Sequence, residues 1–225
     1  MTASVVALVP MRHDSERVPG KNYRPFDGRP LYHHVVSSLL ACPSITTVVI
    51  DTDSEVIAAD AAVAFPQVRV IDRPGHLTDG RIPMNEVLLH DVNQVAGDYY
   101  LQTHSTNPLL TSGTIESAIS TFLRAVPRHD SLFSVTRLHK RFWTEDGRPM
   151  NHDPSQLLRT QDLPPVLEEN SCLYLFSRAG LEKHGSRIGE RPLPFAIPPE
   201  EAWDIDEEVD FLVTEFLYQH RARRS

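Results

Sequence analysis

A polar, mostly basic segment, residues 10–22, follows the first apolar run of the 225-residue chain and reads PMRHDSERVPGKN. It offers the side chains of Arg12, Ser15, Lys21 and Asn22, together with backbone amides, to an anion. The segment, called the basic loop below, matches neither the Walker A pattern nor the GxGxxG fingerprint. Because open α/β sheets bind ligands where strands end, the basic loop is a candidate anion site.

Two carboxylates, Asp204 and Asp206, stand two residues apart near the other end of the chain. A bend in the chain would let both reach one Mg²⁺, which takes one or two carboxylates and completes its shell with water and phosphate oxygens. The alternative is electrostatic capping of the helix predicted to follow. Asp51 and Asp53 form a competing pair, for which a turn before a helix is the simpler interpretation.

Two further segments carry polar side chains at predicted strand or loop positions. Residues 101–109, LQTHSTNPL, run from a strand into a turn whose groups could bind a sugar or a base, or could simply end the strand. Arg159, within LRTQDLPP, could bind a carboxylate or phosphate. The eleven histidines show no metal-ligand spacing, and Cys42 and Cys172 are best explained as small apolar residues of the core.

The composition is that of an ordinary globular protein, with 40% hydrophobic and 23% charged residues. A net charge of −8 argues against general binding to nucleic acid. No apolar run approaches the roughly 18–20 residues needed to span a bilayer. The short N-terminal run lacks a basic flank and predicts a buried strand rather than a signal peptide. We therefore expect a cytoplasmic enzyme or binding domain that contacts neither nucleic acid nor membrane.

Strand-like and helix-like patterns alternate along the chain, which predicts an α/β fold with a doubly wound, mostly parallel sheet and Rossmann-like nucleotide-binding topology. The predicted strands are residues 4–9, 46–50, 68–71, 99–102, 132–135 and 171–176. The predicted helices are residues 30–40, 54–64, 83–95, 112–125 and 207–218, the last with Val209, Leu212, Val213 and Phe216 on one face.

The periodicity is lost over residues 137–170, which are rich in Pro, Arg, His, Asp and Asn. Because long structureless loops are uncommon inside compact domains, this stretch predicts an arm, a lid or an oligomer contact. We expect one nucleotidyltransferase domain over residues 1–225, with residues 137–192 as an insertion for dimerisation and substrate covering.

Taken together and in order, these segments resemble the acylneuraminate (CMP-sialic acid) cytidylyltransferase family. The basic loop is similar to the family's PARGGSKGIPGKN, and residues 27–31 (DGRPL) to its GKPL. Residues 51–54 (DTDS) are similar to STDD, residues 73–74 to RP, and residues 101–109 to LQPTSPL. Residues 159–164 are similar to RQDLP and residues 204–206 to DID. The resemblance covers nearly the whole chain.

The resemblance implies that CTP and an acidic sugar, a sialic acid-like nonulosonate, give the CMP-sugar and pyrophosphate. The sugar's anomeric hydroxyl would attack the α-phosphorus, and no covalent enzyme intermediate is needed. The resemblance implies that Arg12 and Lys21 hold the phosphates, and that Ser15, Asn22 and Arg73 contact the nucleotide. It implies that Asp204 and Asp206 hold Mg²⁺. Gln102 would face the sugar, and Arg159, Gln161 and Lys140 would reach the acid. Of these, Arg12, Lys21 and Asp206 are the predicted catalytic residues. In this family the arm makes a homodimer and reaches into the neighbouring site.

Several residues depart from the family pattern. His13 and Asp14 replace two glycines, which removes positive-φ freedom and predicts a different loop path. Glu16 and Arg17 replace Lys-Gly, so that Arg17 could supply the cation lost at Glu16. The acceptor could instead be a shorter ulosonic acid or a phosphonate. The alternatives to a synthetase are a metal-dependent glycosyltransferase of the same architecture and a binder that has lost activity.

Overall fold

One seven-stranded sheet organises the computed structural model, which describes residues 3–222. Its strands are β1 (Val5–Met11), β4 (Ile45–Thr52), β5 (Arg69–Asp72), β6 (Tyr99–Thr103), β7 (Ser131–Leu138), β8 (Val166–Phe176) and β9 (Pro192–Ala196). A separate two-stranded hairpin consists of β2 (Pro25–Phe26) and β3 (Arg29–Pro30). The sheet order is β5-β4-β1-β6-β8-β7-β9. Strand β8 is antiparallel to both of its neighbours, and the other pairings are parallel, which confirms the predicted α/β class.

Six helices accompany the strands. They are α1 (Leu31–Leu40), α2 (Glu55–Ala64), α3 (Met84–Gln94), α4 (Ser112–Ala125), α5 (Arg178–His184) and α6 (Glu208–Ala222). Single 3₁₀ turns lie at Lys21–Tyr23, Gly75–Leu77, Thr160–Asp162 and Pro199–Glu201. Within residues 3–222, none of the helices has the length and apolar character required to cross a membrane.

Strand β1 is buried on both faces and separates two apolar cores. Val5, Ala7 and Val9 pack into the core that contains buried residues of α1, α2 and α4. Val6 and Leu8 point the other way, into the core formed with α3 and α5. This alternation explains why the continuous apolar run of the sequence folds as a strand covered by helices on both sides.

The sheet reverses its winding direction at β1. From β1 the chain adds β4 and then β5 on one side, and it returns to place β6 on the other side of β1. Ligands of open α/β sheets bind outside the carboxyl ends of the strands at such a switch point. The basic loop leaves the end of β1, and the turn at residues 104–107 leaves the end of β6.

The predicted elements are present, with shifted ends and three omissions. The hairpin β2–β3, helix α5 and strand β9 were not predicted. Strand β9 contains Pro192 and Pro194, which an edge strand tolerates because its outer side forms no ladder. Residues 166–170, predicted as irregular, belong to β8, so the irregular stretch is confined to residues 139–165.

The last helix presents its apolar stripe to solvent. Val209, Leu212 and Phe216 share one side of α6, as the spacing predicts, but they are 62%, 58% and 65% exposed. The residues that α6 buries are Phe211 and Thr214. The sequence pattern identified an apolar side of the helix, but the inward side is a different one.

Candidate active site

A cavity of about 390 Å³ opens at the carboxyl ends of β1 and β6. Residues from both ends of the sequence line it: Pro10, Met11, Arg12, Asp14, Ser15, Glu16, Arg17, Lys21, Asn22, Arg73, Gly80, Met84, His104, Ser105, Thr106, Asp204 and Asp206. The basic loop and the aspartate pair, about 190 residues apart in sequence, therefore converge on one space at the switch point.

The basic loop is held in place by a buried valine and a left-handed glycine. Val18 is fully buried in a small core with Phe26 and Ile205. Gly20 has a φ of +64°, a conformation that suits glycine, and it turns the chain into the 3₁₀ turn that begins at Lys21. These features direct the Lys21 side chain toward residues 204–206, where its Nζ donates a hydrogen bond to the carbonyl of Ile205 (2.5 Å).

The loop path also reflects the residues that replace glycines. The backbone amide of His13 donates to Oδ1 of Asp53 (2.7 Å), and its Nδ1 lies 2.7 Å from Oγ of Ser54. The His13 ring stacks on Tyr23, with centroids 5.4 Å apart. His13 thus ties the basic loop to the start of α2, so the loop is held by side-chain contacts where glycines would have given freedom.

The aspartate pair flanks a buried anchor. The side chain of Ile205 is fully buried, and its backbone amide donates to the carbonyl of Thr106 (3.0 Å). Nδ2 of Asn107 donates to the carbonyl of Trp203 (3.1 Å). The turn after β6 therefore holds this segment, and Asp204 and Asp206 both reach the cavity.

Burial and the neighbouring opposite charges shift the pKa values of Lys21 and Asp204 in opposite directions. Burial lowers the pKa of Lys21, although the carboxylates of Asp204 and Asp206 raise it. Burial raises the pKa of Asp204, while a hydrogen bond from Thr106 and the charge of Lys21 lower it. Each group thus depends on the opposite charge nearby to remain ionised in the cavity.

The carboxylates fit a hard divalent cation. Oδ1 of Asp204 is buried and has no hydrogen-bond partner within residues 3–222. Asp206 is half exposed and pairs with Arg17 through its Oδ1 (2.5 Å). An unpartnered buried carboxylate oxygen beside a second, accessible carboxylate is the donor chemistry that Mg²⁺ uses, since it binds through one or two carboxylates.

Asn22 and Gly80 shape the opposite wall around Arg12. Asn22 donates from Nδ2 to the carbonyl of Arg12 (2.8 Å) and accepts from Oγ of Ser105 at Oδ1 (2.7 Å). A Cβ atom at Gly80 would lie 2.5 Å from Nη1 of Arg12. Glycine at position 80 therefore leaves the room in which the Arg12 guanidinium lies.

Arg73 lines the cavity and also forms a buried ion pair. Its Nε donates to Oδ1 of Asp51, and both side chains are almost fully buried. Asp91 of α3 is fully buried, and one of its carboxylate oxygens lies within 4.8 Å of one of Asp51. Burial, a hydrogen bond to Asp51 and the charge of Asp51 raise the pKa of Asp91 far above its usual value. These effects favour the protonated form of Asp91.

The same region contains a second group of potential metal ligands. Donor atoms of Asp51, His90 and Asp91 lie within 4.8 Å of one another. The guanidinium of Arg73 already bonds Asp51 and places a fixed positive charge beside the group, which disfavours a cation there. A proton on Asp91 would balance the charge of this group without a metal.

The residues predicted to meet the acid do not line the cavity of this chain. Gln102 is fully buried and contacts His104, which does line the cavity, at 3.3 Å. Lys140, Arg159 and Gln161 lie exposed on or beside the irregular stretch, and Arg159 pairs with Asp162 (2.7 Å). All of the predicted phosphate, nucleotide and metal residues, by contrast, come together around the cavity.

Five lining residues outside the basic loop had no place in the predicted site: Gly80, Met84, His104, Ser105 and Thr106. His104, Ser105 and Thr106 belong to the polar turn that the sequence singled out, so that segment was the available signal. Gly80 and Met84 lie in a loop and at a helix start without any recognisable motif. Removal from solvent lowers the pKa of His104 to about 4, helped by the charges of Arg187 and Lys21, so its imidazole is neutral.

Comparison with known proteins assigns the chain to a family. Residues 6–202 match the family described as cytidylyltransferase. The chain belongs to the cytidylyltransferase family. It is accordingly a nucleotidyltransferase, as the resemblance implied. This family membership favours that interpretation over the two alternatives, a glycosyltransferase and an inactive binder.

Curated relatives agree with this assignment. The chain is 25% identical to post-translational flagellin modification protein B of Campylobacter coli, over 97% of each chain. It is 27% identical to CMP-N,N'-diacetyllegionaminic acid synthase of Legionella pneumophila, over 96% of each chain. It is also 27% identical to N-acylneuraminate cytidylyltransferase A of Danio rerio, where 94% of this chain matches about half (50%) of that protein.

Solved structures share the fold. The CMP:2-keto-3-deoxy-manno-octonic acid synthetase, solved with CTP, superposes with a TM-score of 0.72 at 17% identity, covering 97% of this chain and 100% of that one. A 4-diphosphocytidyl-2C-methyl-D-erythritol synthase superposes with a TM-score of 0.69 at 16% identity, covering 96% and 99%. At these identities the likeness establishes the fold.

Proposed function

We propose that this cytidylyltransferase transfers CMP from CTP to an acidic sugar of the nonulosonate class and releases pyrophosphate. The observation that carries the proposal is the convergence of Arg12, Lys21 and the two aspartates on one cavity at the switch point. Relatives named for legionaminic acid and N-acylneuraminate support a sugar acid as the acceptor.

The charges around the cavity support a requirement for a divalent metal. Four basic and four acidic side chains line it: Arg12, Arg17, Lys21 and Arg73 against Asp14, Glu16, Asp204 and Asp206. The side chains alone therefore offer a triphosphate no net positive charge. Asp204 and Asp206 would hold Mg²⁺, which when bound supplies positive charge to the phosphate oxygens.

The residues of the chain then bind and align the reactants. Arg12, Lys21 and Ser15 would hold the phosphates through charge-assisted hydrogen bonds, while Asn22 and Arg73 would contact the rest of the nucleotide. The anomeric hydroxyl of the sugar would displace pyrophosphate from the α-phosphorus, forming the new phosphorus–oxygen bond as the bond to the β-phosphate breaks. This chemistry needs positioning and charge stabilisation rather than a covalent intermediate.

The acceptor side of the site would be completed by a second copy of the chain. The irregular stretch, residues 139–165, exposes large apolar side chains: Trp143, Met150, Leu157 and Leu158 are 47–89% exposed. Exposed apolar surface of this kind is typical of interaction sites. In a homodimer built on this arm, Lys140, Arg159 and Gln161 would reach the acid in the neighbouring cavity, where His104, the contact of Gln102, lies in the lining.

The test is pyrophosphate release from CTP and Mg²⁺ with a panel of acceptors. We expect release only with a sugar acid, and fastest with nonulosonic acids such as N-acetylneuraminic acid. A preference for 2-keto-3-deoxy-manno-octonic acid, or for a phosphonate, would keep the reaction and change the acceptor. CTP binding without turnover across the panel, or transfer from a UDP- or GDP-sugar, would contradict the proposal.

A further inference from the structure

Arg187, in the loop after α5, is fixed by contacts to three elements. Its backbone amide donates a hydrogen bond to Oδ1 of Asn85 on α3 (3.2 Å). Its guanidinium lies over the ring of Tyr174 on β8, 3.6 Å from the centroid. Its Nη1 donates to Oε1 of Gln102 on β6 (2.5 Å). The guanidinium is thus oriented in advance, with several N–H groups left to donate.

The charge of Arg187 has no matching carboxylate. Across residues 3–222, no Asp or Glu forms an ion pair with its partly buried guanidinium, although the buried Arg73 is paired with Asp51. Glu169 lies near enough to raise the pKa of Arg187, but it is exposed and accepts the hydroxyl of Tyr174. Burial lowers the same pKa, which reflects the cost of holding an unpaired cation out of water.

Arg187 does not itself line the cavity but lies one contact away from its lining, because it bonds Gln102, which in turn contacts the lining residue His104. Arg73 approaches from the β4–β5 side of the switch point, and Arg187 approaches from the β6–β8 side, where Gln102 and Tyr174 are paired in register. If Arg73 marks the nucleotide end, the second reactant enters beside Arg187, where an oriented and unpaired guanidinium matches a carboxylate.

We propose that Arg187 is an anion-binding residue of the acceptor subsite and receives the carboxylate of the sugar acid from within the same chain. The proposal rests on the proposed function, since it names the acceptor group that this side of the site recognises. It assigns the recognition of the acid to a residue outside both the basic loop and the arm.

The test compares wild type, Arg187→Gln and Arg187→Lys in the pyrophosphate-release assay, using the sugar acid that wild type turns over fastest and the methyl ester of that acid. Lys183→Gln is the matched control, because it also removes one positive charge from this part of the chain but from an exposed side chain paired with Glu190. Thermal unfolding of each variant reports whether it is folded, and Arg187→Lys keeps the charge should Arg187→Gln fail to fold.

We expect Arg187→Gln to raise the KM for the acid by roughly 10- to 100-fold while the KM for CTP stays within about twofold. The preference of wild type for the acid over its methyl ester should largely disappear in Arg187→Gln and persist in part in Arg187→Lys. Lys183→Gln should behave as wild type in both respects.

An unchanged KM for the acid, an equal rise in both KM values, or an unchanged preference for acid over ester would overturn the role of Arg187. Should only Arg187→Lys be folded, a wild-type preference in that variant together with an unchanged KM would count against it as well. A wild-type protein that releases pyrophosphate with none of the acids would instead refute the proposed function itself.

Discussion

The guanidinium of Arg17 is bonded to the carboxylate of Asp206, 189 residues further along the chain. Arg17 stands where the family pattern has glycine, and its partner is one of the two carboxylates that we propose as metal ligands. A cation that binds Asp206 must therefore compete with Arg17. The pair is about half exposed on both sides, so the competition costs little and is reversible.

Replacing Arg17 should make the metal bind more easily. We expect Arg17→Met to lower the Mg²⁺ concentration for half-maximal activity by roughly two- to fivefold, the equivalent of an exposed ion pair. Titration of Mg²⁺ at saturating CTP measures this. Arg24→Met, which removes the exposed pair with Glu208, is the matched control and should leave the value unchanged. A higher Mg²⁺ requirement in Arg17→Met would show that Arg17 serves the triphosphate rather than opposing the metal.

Asp206→Asn should abolish turnover and leave the protein folded. The substitution removes the accessible carboxylate of the pair but only an exposed ion pair from the fold, worth about 0–1 kcal/mol. Pyrophosphate release and thermal unfolding measure the two effects separately. Glu182→Gln breaks another exposed ion pair, with Arg178, and should keep full activity. Wild-type rates in Asp206→Asn would refute the metal role of Asp206.

Gly80→Ala should weaken CTP binding without unfolding the protein. The added methyl group would meet the end of the Arg12 side chain, which can swing away at small cost to the fold but would leave its place in the cavity. We expect the free energy of CTP binding, measured by calorimetry, to weaken by nearly as much as in Arg12→Ala, which should lose about 1.5–3 kcal/mol. Gly75→Ala, with open space around its added Cβ, is the control. Equal CTP affinity in both glycine variants would mean that Arg12 does not contact the nucleotide from this position.

Asp91 predicts a pH dependence of stability. Its pKa is raised in the folded protein, whereas in the unfolded chain it ionises near its ordinary pKa of about 4. Above that pH the folded state holds a proton that the unfolded state has lost, so the contribution of Asp91 to the free energy of unfolding falls as pH rises through neutrality. Asp91→Asn lacks this loss.

Urea unfolding of Asp91→Asn and wild type at several values between about pH 5 and 8 tests this. The free energy of unfolding of the variant should increase relative to wild type as pH rises. Asp98→Asn removes an exposed carboxylate whose pKa is lowered by Ser4, and it should give a constant offset over the same range. Parallel profiles for Asp91→Asn and wild type would show that Asp91 is ionised in the fold.

The sequence was sufficient to predict that residues in short continuous motifs would come together at one cavity. Lys21 and Asp204 could be placed at the cavity because each stands in a recognisable segment beside a predicted element, and the topology of an α/β sheet brings such ends together. Gly80 and Arg187 could not be identified, because their roles come from contacts with Arg12 and Gln102 that local pattern does not contain.

In the fold, too, local sequence pattern predicted some features and missed those that depend on tertiary contacts. The spacing of Val209, Leu212 and Phe216 identified a helix side but not the surface that covers it, since periodicity carries no information about partners. Strand β9 escaped prediction because Pro192 and Pro194 are strand breakers except at an edge. The edge position follows from the sheet order, which only the tertiary structure defines.

The central claim is that the basic loop and the aspartate pair hold one nucleoside triphosphate together with Mg²⁺. Calorimetric titration of CTP with and without Mg²⁺, in wild type and in Asp206→Asn, tests it most directly as a thermodynamic cycle. We expect Mg²⁺ to strengthen CTP binding to wild type by at least about tenfold, or 1.4 kcal/mol, and to have almost no effect in Asp206→Asn. The same strengthening in both proteins would contradict the account.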